Sequence, residues 1–275
     1  MAETTNIGRQ GIEAVLVKTI TLALLVLLLS PIVMVIVMSF TSSETLQFPP
    51  PGLSLRWYVE VWNLFAGPDA EIARLAESLW ASLKIAMATA ILCLLVGVPA
   101  SYVLVRASFR GRGFAEEVLG LPVVFPTVVL GVALLMLVSF SGIDFGLWQI
   151  VIAHAIVGLP FMMRNCMASM RGIDPVLQEA AKTLGASGTR AFFEIVLPLS
   201  REGIVSGVLL VFIISFNEFT LSYFLYTIDV FPLSIWLFQQ SNTSFSPAIF
   251  AISTLTILIT VAAILAVDML AGRKR

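Results

Sequence analysis

The side chains of this 275-residue sequence with the greatest chemical capacity lie within strongly apolar surroundings. Glu218 stands in the run SFNEFTLSYF, with Asn217 beside it and Tyr223 a little over one helical turn further on. Placing an ionisable group in hydrocarbon costs about 2.5–3.5 kcal/mol on insertion scales, so a carboxylate there implies a use. A carboxylate, an amide and an aromatic ring facing one cavity suit an amino or ammonium group, through charge-assisted hydrogen bonds and cation–π contact. The competing reading pairs Glu218 with a polar group of a neighbouring helix for packing alone. His154, the only histidine, lies midway along another apolar run. It reads as a hydrogen-bonded packing residue, or as a group able to titrate near neutral pH.

Other chemistries find little support. His154 and Glu218 are the only candidates for a catalytic pair within a membrane, and no Ser/His/Asp or metal-protease constellation occurs. Cys93 and Cys166 each lie in an apolar run far from a second thiol, so neither a disulfide framework nor metal spacing can be built. No GxxxxGK[ST] loop is present to cradle phosphates, which leaves the chain without an ATP site of that kind and without an expected cofactor. The net charge of −1, with no basic stripe, argues against nucleic acid.

A second kind of chemistry, docking, is written in residues 173–199, a polar interruption between apolar runs. Asp174 followed by Pro175 starts a helix, since Asp accepts orphan backbone N–H groups and Pro tolerates the first helical position. Leu177, Ala180, Ala181 and Leu184 recur at helical spacing and give one apolar face, with Gln178, Glu179 and Lys182 pointing elsewhere. Gly185 ends the helix as a left-handed cap. Ser187 or Thr189 can cap a second helix, whose stripe is Phe192, Ile195, Val196 and Leu199. The small alanines would admit another protein's surface, and Glu179 offers it a charge.

The elements that hold these residues follow from composition. Hydrophobic residues make up 59% and charged ones 12%, against roughly 45–50% and 25% in soluble domains. Apolar runs long enough to span a bilayer, about 20 residues each, are placed near 17–40, 79–105, 118–140, 147–170, 203–226 and 247–270. The first exceeds a cleavable signal's apolar core and lacks a small-residue cleavage site, so it reads as a retained span. Residues 41–78, with Pro49, Pro50, Pro51, Trp57, Tyr58 and Trp62, suit a short helix at the membrane surface, and 227–246 form a second such connection. Pro31, Pro99, Pro122, Pro126 and Pro160 inside spans read as kinks that let helices pack, or as bends around a pathway.

Six spans place both termini on one side. That side carries Arg9, Lys18, Arg106, Arg110, Arg112, Arg171, Lys182, Arg190, Arg201, Arg273, Lys274 and Arg275. The other side carries Arg56, Arg74 and Lys84 among Glu44, Glu60, Asp69, Glu71 and Glu77. The positive-inside rule then puts both termini and residues 173–199 in the cytoplasm. The expected fold is all-α, one polytopic membrane domain over residues 1–275.

Glu179, Ala180 and Ala181, three residues, Gly185, nine residues, Ile195, one residue, then Leu197 and Pro198 match the full EAA pattern of the membrane subunits of binding-protein-dependent ABC importers. The sequence resembles that family over most of its length. The resemblance implies that residues 173–199 are the coupling loop, with Glu179, Ala180, Ala181, Leu184, Gly185, Ile195, Leu197 and Pro198 seated in a cleft of a cytoplasmic ATPase that binds the ATP. It also implies two copies of that ATPase, a second permease subunit, usually a different chain, and an extracytoplasmic solute-binding protein, all at a bacterial inner membrane.

SLRWYVEVW at 54–62, LPVVFPTVVLGVALL at 121–135 and FPLSIW at 231–236 resemble the spermidine/putrescine branch. This branch is also similar to carriers of opines, amino-acid-like solutes, phosphonates and ferric iron. With Asn217, Glu218 and Tyr223 as candidate pathway residues, the expected cargo is a polyamine moved by alternating access. The alternative from another class is a membrane scaffold that binds an ATPase and conducts nothing.

Overall fold

The computed structural model describes residues 3–67, 74–142, 146–243 and 245–272. Asp69, Glu71, Arg273, Lys274 and Arg275, used in the charge count, lie outside them, as does the side chain of Arg9. The described residues are helical apart from turns and one antiparallel bridge, Thr41 to Leu53. The helices are α1 (Glu3–Met38), α2 (Arg56–Ala66), α3 (Leu75–Arg106), α4 (Arg112–Val124), α5 (Thr127–Ser141) and α6 (Leu147–Arg171). They continue with α7 (Pro175–Thr183), α8 (Gly188–Leu199), α9 (Arg201–Asn217), α10 (Thr220–Leu225), α11 (Leu233–Thr243) and α12 (Ala248–Gly272).

Four helical segments are long and apolar enough to cross a membrane: Val15–Met38, Leu75–Arg106, Leu147–Arg171 and Ala248–Leu265. The number rises to six if α4 with α5, bent by 99°, and α8 with α9, bent by 72°, each count as one span. Two expectations of continuous spans are therefore corrected. The run at 118–140 breaks at Phe125 and Pro126, where Phe125 is extended (φ −74, ψ 140) as a residue preceding proline prefers. The run at 203–226 ends its helix at Asn217, with Glu218 extended (φ −73, ψ 111), and resumes at Thr220. Pro31, Pro99 and Pro160 by contrast lie within unbroken helices.

The chain divides into two compact units. In the first, Met1–Asn63 with Ser244–Ile257, the buried Trp57 indole donates to the Thr41 carbonyl (2.7 Å), and the Ser39 and Tyr58 hydroxyls lie 2.8 Å apart. These bonds fix α2 against the end of α1.

The second unit, Leu64–Thr243 with Leu258–Arg275, is centred on α3, α6 and α9. Thr89, Cys93, Gly97 and Ser101 recur every fourth residue and form one small-residue stripe along α3. Thr89 donates to the Val151 carbonyl (3.5 Å), Cys93 to that of Ala155 (3.7 Å) and Ser101 to that of Met163 (3.3 Å), all on α6. A Cβ on Gly97 would stand 2.9 Å from Met162, so the stripe lets α3 and α6 approach closely. Lipid provides little drive for helices to associate, and small residues with side-chain hydrogen bonds supply it instead. Gly203 does the same between α9 and α6, where a Cβ would meet Ser169 and lie 2.6 Å from the Asn165 carbonyl.

Candidate functional site

The connection from α6 to α8 folds as its local chemistry requires. Asp174 accepts the Val176 N–H (2.9 Å) at the start of α7. Gly185 takes φ +92 after its end, and Ser187 accepts the Arg190 N–H (3.2 Å) to begin α8. Arg190 and Glu194 pair at 2.9 Å on the exposed side. Phe192–Val196 form a wider π turn that leads through Leu197 and Pro198 into the 72° bend before α9.

On α7, Leu177 and Ala180 of the apolar face are exposed, as is Glu179 on another side of the helix, and Leu184 at its end has 89% of its surface accessible. Ala181 is half-buried. Gln178 points inward at 6% exposure and donates to the Tyr102 hydroxyl of α3 (3.0 Å), while the Tyr102 ring packs on Phe192 of α8 with centroids 4.7 Å apart. One turn along α3, Arg106 Nη2 donates to the carbonyls of Met170 (3.2 Å) and Ile173 (2.7 Å), where α6 gives way to α7. Orphan carbonyls at a helix end favour such a cation. The structure thus presents an apolar and acidic outer side, tied from behind by Tyr102, Arg106 and Gln178. Sequence reasoning missed all three anchors. Tyr102 and Arg106 stand four residues apart at the end of a span, a pairing visible only once the facing helix is known.

Of the sequence-placed pathway residues, Glu218 lies at the break between α9 and α10. Its Oε1 accepts the Leu221 N–H (3.1 Å), and its backbone carbonyl accepts from Ser222 (2.9 Å) and Ser234 (3.4 Å). The carboxylate thus caps the helix that follows it. Asn217 is exposed and donates to the Ile213 carbonyl of its own helix (2.8 Å). Tyr223 lines a cavity of ≈ 580 Å³ with Tyr226, Phe231, Trp236, Phe238 and Arg74. Its ring lies 5.6 Å from those of Phe219 and Phe238. Arg74 is held by Glu77 (2.7 Å) and donates to the Ile228 carbonyl (2.9 Å). Phe231 and Trp236 belong to the FPLSIW run at 231–236.

His154 is buried on α6 at 3% exposure, between Ser215 of α9 (2.8 Å) and Ser222 of α10 (3.1 Å). Both cysteines are buried and unpaired. Among the described residues no group of three His, Cys, Asp or Glu side chains could hold a metal ion.

Comparison with known proteins supplies the family. Residues 93–275 match the binding-protein-dependent transport system inner membrane component. The chain is 28% identical to the spermidine/putrescine transport system permease protein PotC of Escherichia coli K12 over 246 residues, 89% of each chain. It is 37% identical to the molybdenum transport system permease protein ModB of the same organism over 151 residues, 50% of this chain and 66% of ModB. In fold it is similar to a chain of a bacterial ABC transporter involved in alginate import, with a TM-score of 0.69, 17% identity and coverage of 95% and 97% of the two chains. The match over most of the second unit, the all-helical fold and the helix-turn-helix at 173–199 lead to one conclusion: the chain belongs to the family of inner-membrane permease components of binding-protein-dependent ABC importers.

Proposed function

We propose that this chain moves a polyamine of the spermidine/putrescine class across a bacterial inner membrane, as half of the translocation path of an ATP-driven importer. The observation that carries the powering half of this reading is the outer side of α7. Leu177, Ala180 and Leu184 are exposed beside Glu179, on a helix braced from within by Gln178. A braced apolar and acidic surface outside the spans suits a cleft on a cytoplasmic ATPase, which binds and hydrolyses the ATP. The chain then has both termini in the cytoplasm, and two ATPase copies engage it and a second, different permease subunit. Gly185 hinges the two helices of the loop, while Ile195, Leu197 and Pro198 carry the motion into α9.

The cargo reading rests on the resemblance to PotC over 89% of each chain and on the rings of Tyr223, Tyr226, Phe231, Trp236 and Phe238 around one cavity. Aromatic faces attract alkylammonium groups by roughly 0.5–2 kcal/mol each. Glu218 contributes negative potential at the nearby break. A second cargo class, a small oxyanion, is favoured by Arg74 in the same cavity and by the likeness to ModB. Glu77 at 2.7 Å largely neutralises that arginine, so the cation is preferred. Proteoliposomes holding the assembled importer, its binding protein and internal ATP distinguish the two. The expected result is saturable, ATP-dependent uptake of labelled spermidine. Uptake of molybdate without spermidine would overturn the cargo assignment.

A further inference from the structure

The break between α9 and α10 leaves the chain extended at Glu218, deep within an apolar sequence, and one side chain from another helix spans it. His154 of α6 places Nδ1 2.8 Å from Ser215 Oγ, before the break, and Nε2 3.1 Å from Ser222 Oγ, after it. The three side chains are buried, at 3%, 4% and 1% exposure. Proton directions follow from the one remaining bond. Ser222 Oγ spends its proton on the Glu218 carbonyl (2.9 Å), so it can only accept from His154, which places the imidazole proton on Nε2. Nδ1 is then an acceptor and takes the Ser215 proton. The relay closes with every polar atom used: Ser215 to His154, His154 to Ser222, Ser222 to the backbone of Glu218. The Glu218 carboxylate in turn takes the Leu221 N–H (3.1 Å).

Local bonds hold part of this geometry: the Glu218 N–H reaches the Ser215 carbonyl (3.3 Å), and Glu218 caps Leu221. An extended residue between two helices in an apolar environment leaves backbone groups that must find partners; Ser222 and Ser234 supply them at the Glu218 carbonyl, and His154 ties Ser222 to Ser215 across the break. We propose that His154 is a positioning residue, an imidazole clasp that fixes the angle between α9 and α10 and thereby sets where the Glu218 carboxylate is presented. The inference rests on the reading of Glu218 as a pathway residue. It assigns to α6, the helix that leads into the coupling connection, direct control over the geometry of the break. A displacement of α6 along its axis would then pull on both sides of the break at once.

Hydrogen exchange on the assembled importer, read at residues 213–226, together with spermidine uptake in proteoliposomes, tests this. His154→Phe removes both bonds, His154→Gln keeps a donor and an acceptor, Ser215→Ala removes one arm alone, and Ser222→Ala removes the other arm together with the bond to the Glu218 carbonyl. The clasp predicts that His154→Phe and Ser215→Ala raise exchange at 218–225 by about tenfold, the equivalent of one net hydrogen bond, while exchange along α3 stays unchanged. His154→Gln should return most of the protection and of the uptake. In a Glu218→Gln background, His154→Phe should lower uptake no further, because it acts through that carboxylate. Unchanged exchange at 218–225 in His154→Phe and Ser215→Ala overturns the clasp, as does a loss that simply multiplies in the double variant. Full uptake by Glu218→Gln alone, with exchange still raised by His154→Phe, overturns the pathway reading of Glu218 and leaves the clasp standing.

Discussion

Replacing Arg106 with Met should uncouple ATP hydrolysis from transport. The guanidinium makes two bonds at the corner between α6 and α7, to the Ile173 carbonyl at 2.7 Å and the Met170 carbonyl at 3.2 Å. A hydrogen bond from a charged group contributes about 1.5–3 kcal/mol. Taking the short bond at the top of that range and the long one at the bottom gives roughly 4–5 kcal/mol. Against this, Arg106 Nε is buried with no partner among the described residues, a standing cost of about 1–3 kcal/mol that Met removes. Arg106 is also only part-buried, so water can replace some of what is lost. The net is about 2 kcal/mol, or about thirtyfold in the balance between a held and a loosened corner. Amide exchange at 171–178 in the assembled importer reads that balance directly, and the ratio of solute moved to ATP hydrolysed reads its consequence. Exchange should rise by an order of magnitude and the ratio should fall, with the ATPase still bound. Arg106→Lys should recover part of both, since one ammonium cannot span two carbonyls as a guanidinium does. Exchange within twofold of the parent, with transport per ATP intact, would refute the idea that α3 braces the coupling connection.

Three further outcomes test other parts of the argument. At Gly185 (φ +92) no atom lies within 4 Å of an added Cβ, so substitution costs only backbone strain, about 1–2 kcal/mol. Gly185→Asn, which tolerates that conformation, should therefore keep more transport than Gly185→Val, and an effect that scales with side-chain volume alone would point to a clash instead. Glu179→Lys should abolish binding-protein-stimulated ATP hydrolysis while the chain still inserts; normal hydrolysis would remove Glu179 from the docking surface. Ser82→Ala strands the buried N–H of Leu233, now bonded to Ser82 Oγ at 2.8 Å, and should loosen the start of α11 by about 1–3 kcal/mol. Exchange at 233–236 measures it, and unchanged protection there would show that another group holds α11.

Hydropathy and capping made much of this molecule readable in one dimension. The runs that became α1, α3, α6 and α12 stand out by length, and Asp174, Gly185 and Ser187 announce the turns around α7 because each acts on its own neighbours. What stayed hidden depends on partners distant in sequence. Nothing in SFNEFTLSYF forbids a continuous helix; the interruption at Glu218 is stabilised from α6 by His154, more than 60 residues away. Pro126 could be seen as a disruptor, but Pro99 and Pro160 look equally disruptive and sit in unbroken helices. Gln178 reads as a surface amide by pattern and is buried because Tyr102 waits behind it. The residues of the EAA pattern were recognisable from their spacing, whereas Tyr102, Arg106 and Gln178 behind them were not. Glu218 stood out as a lone charge, yet its capping of the next helix became visible only in three dimensions.

The stripe of Thr89, Cys93, Gly97 and Ser101 has a mechanical corollary. Its bonds to α6 recur at whole-turn intervals, so an intermediate sliding position would strand every donor between carbonyls at once. The stripe thereby opposes small axial displacements of α6 against α3. Since α3 also carries Tyr102 and Arg106 behind the connection at 173–199, any larger rearrangement falls to the bends before α5 and α9.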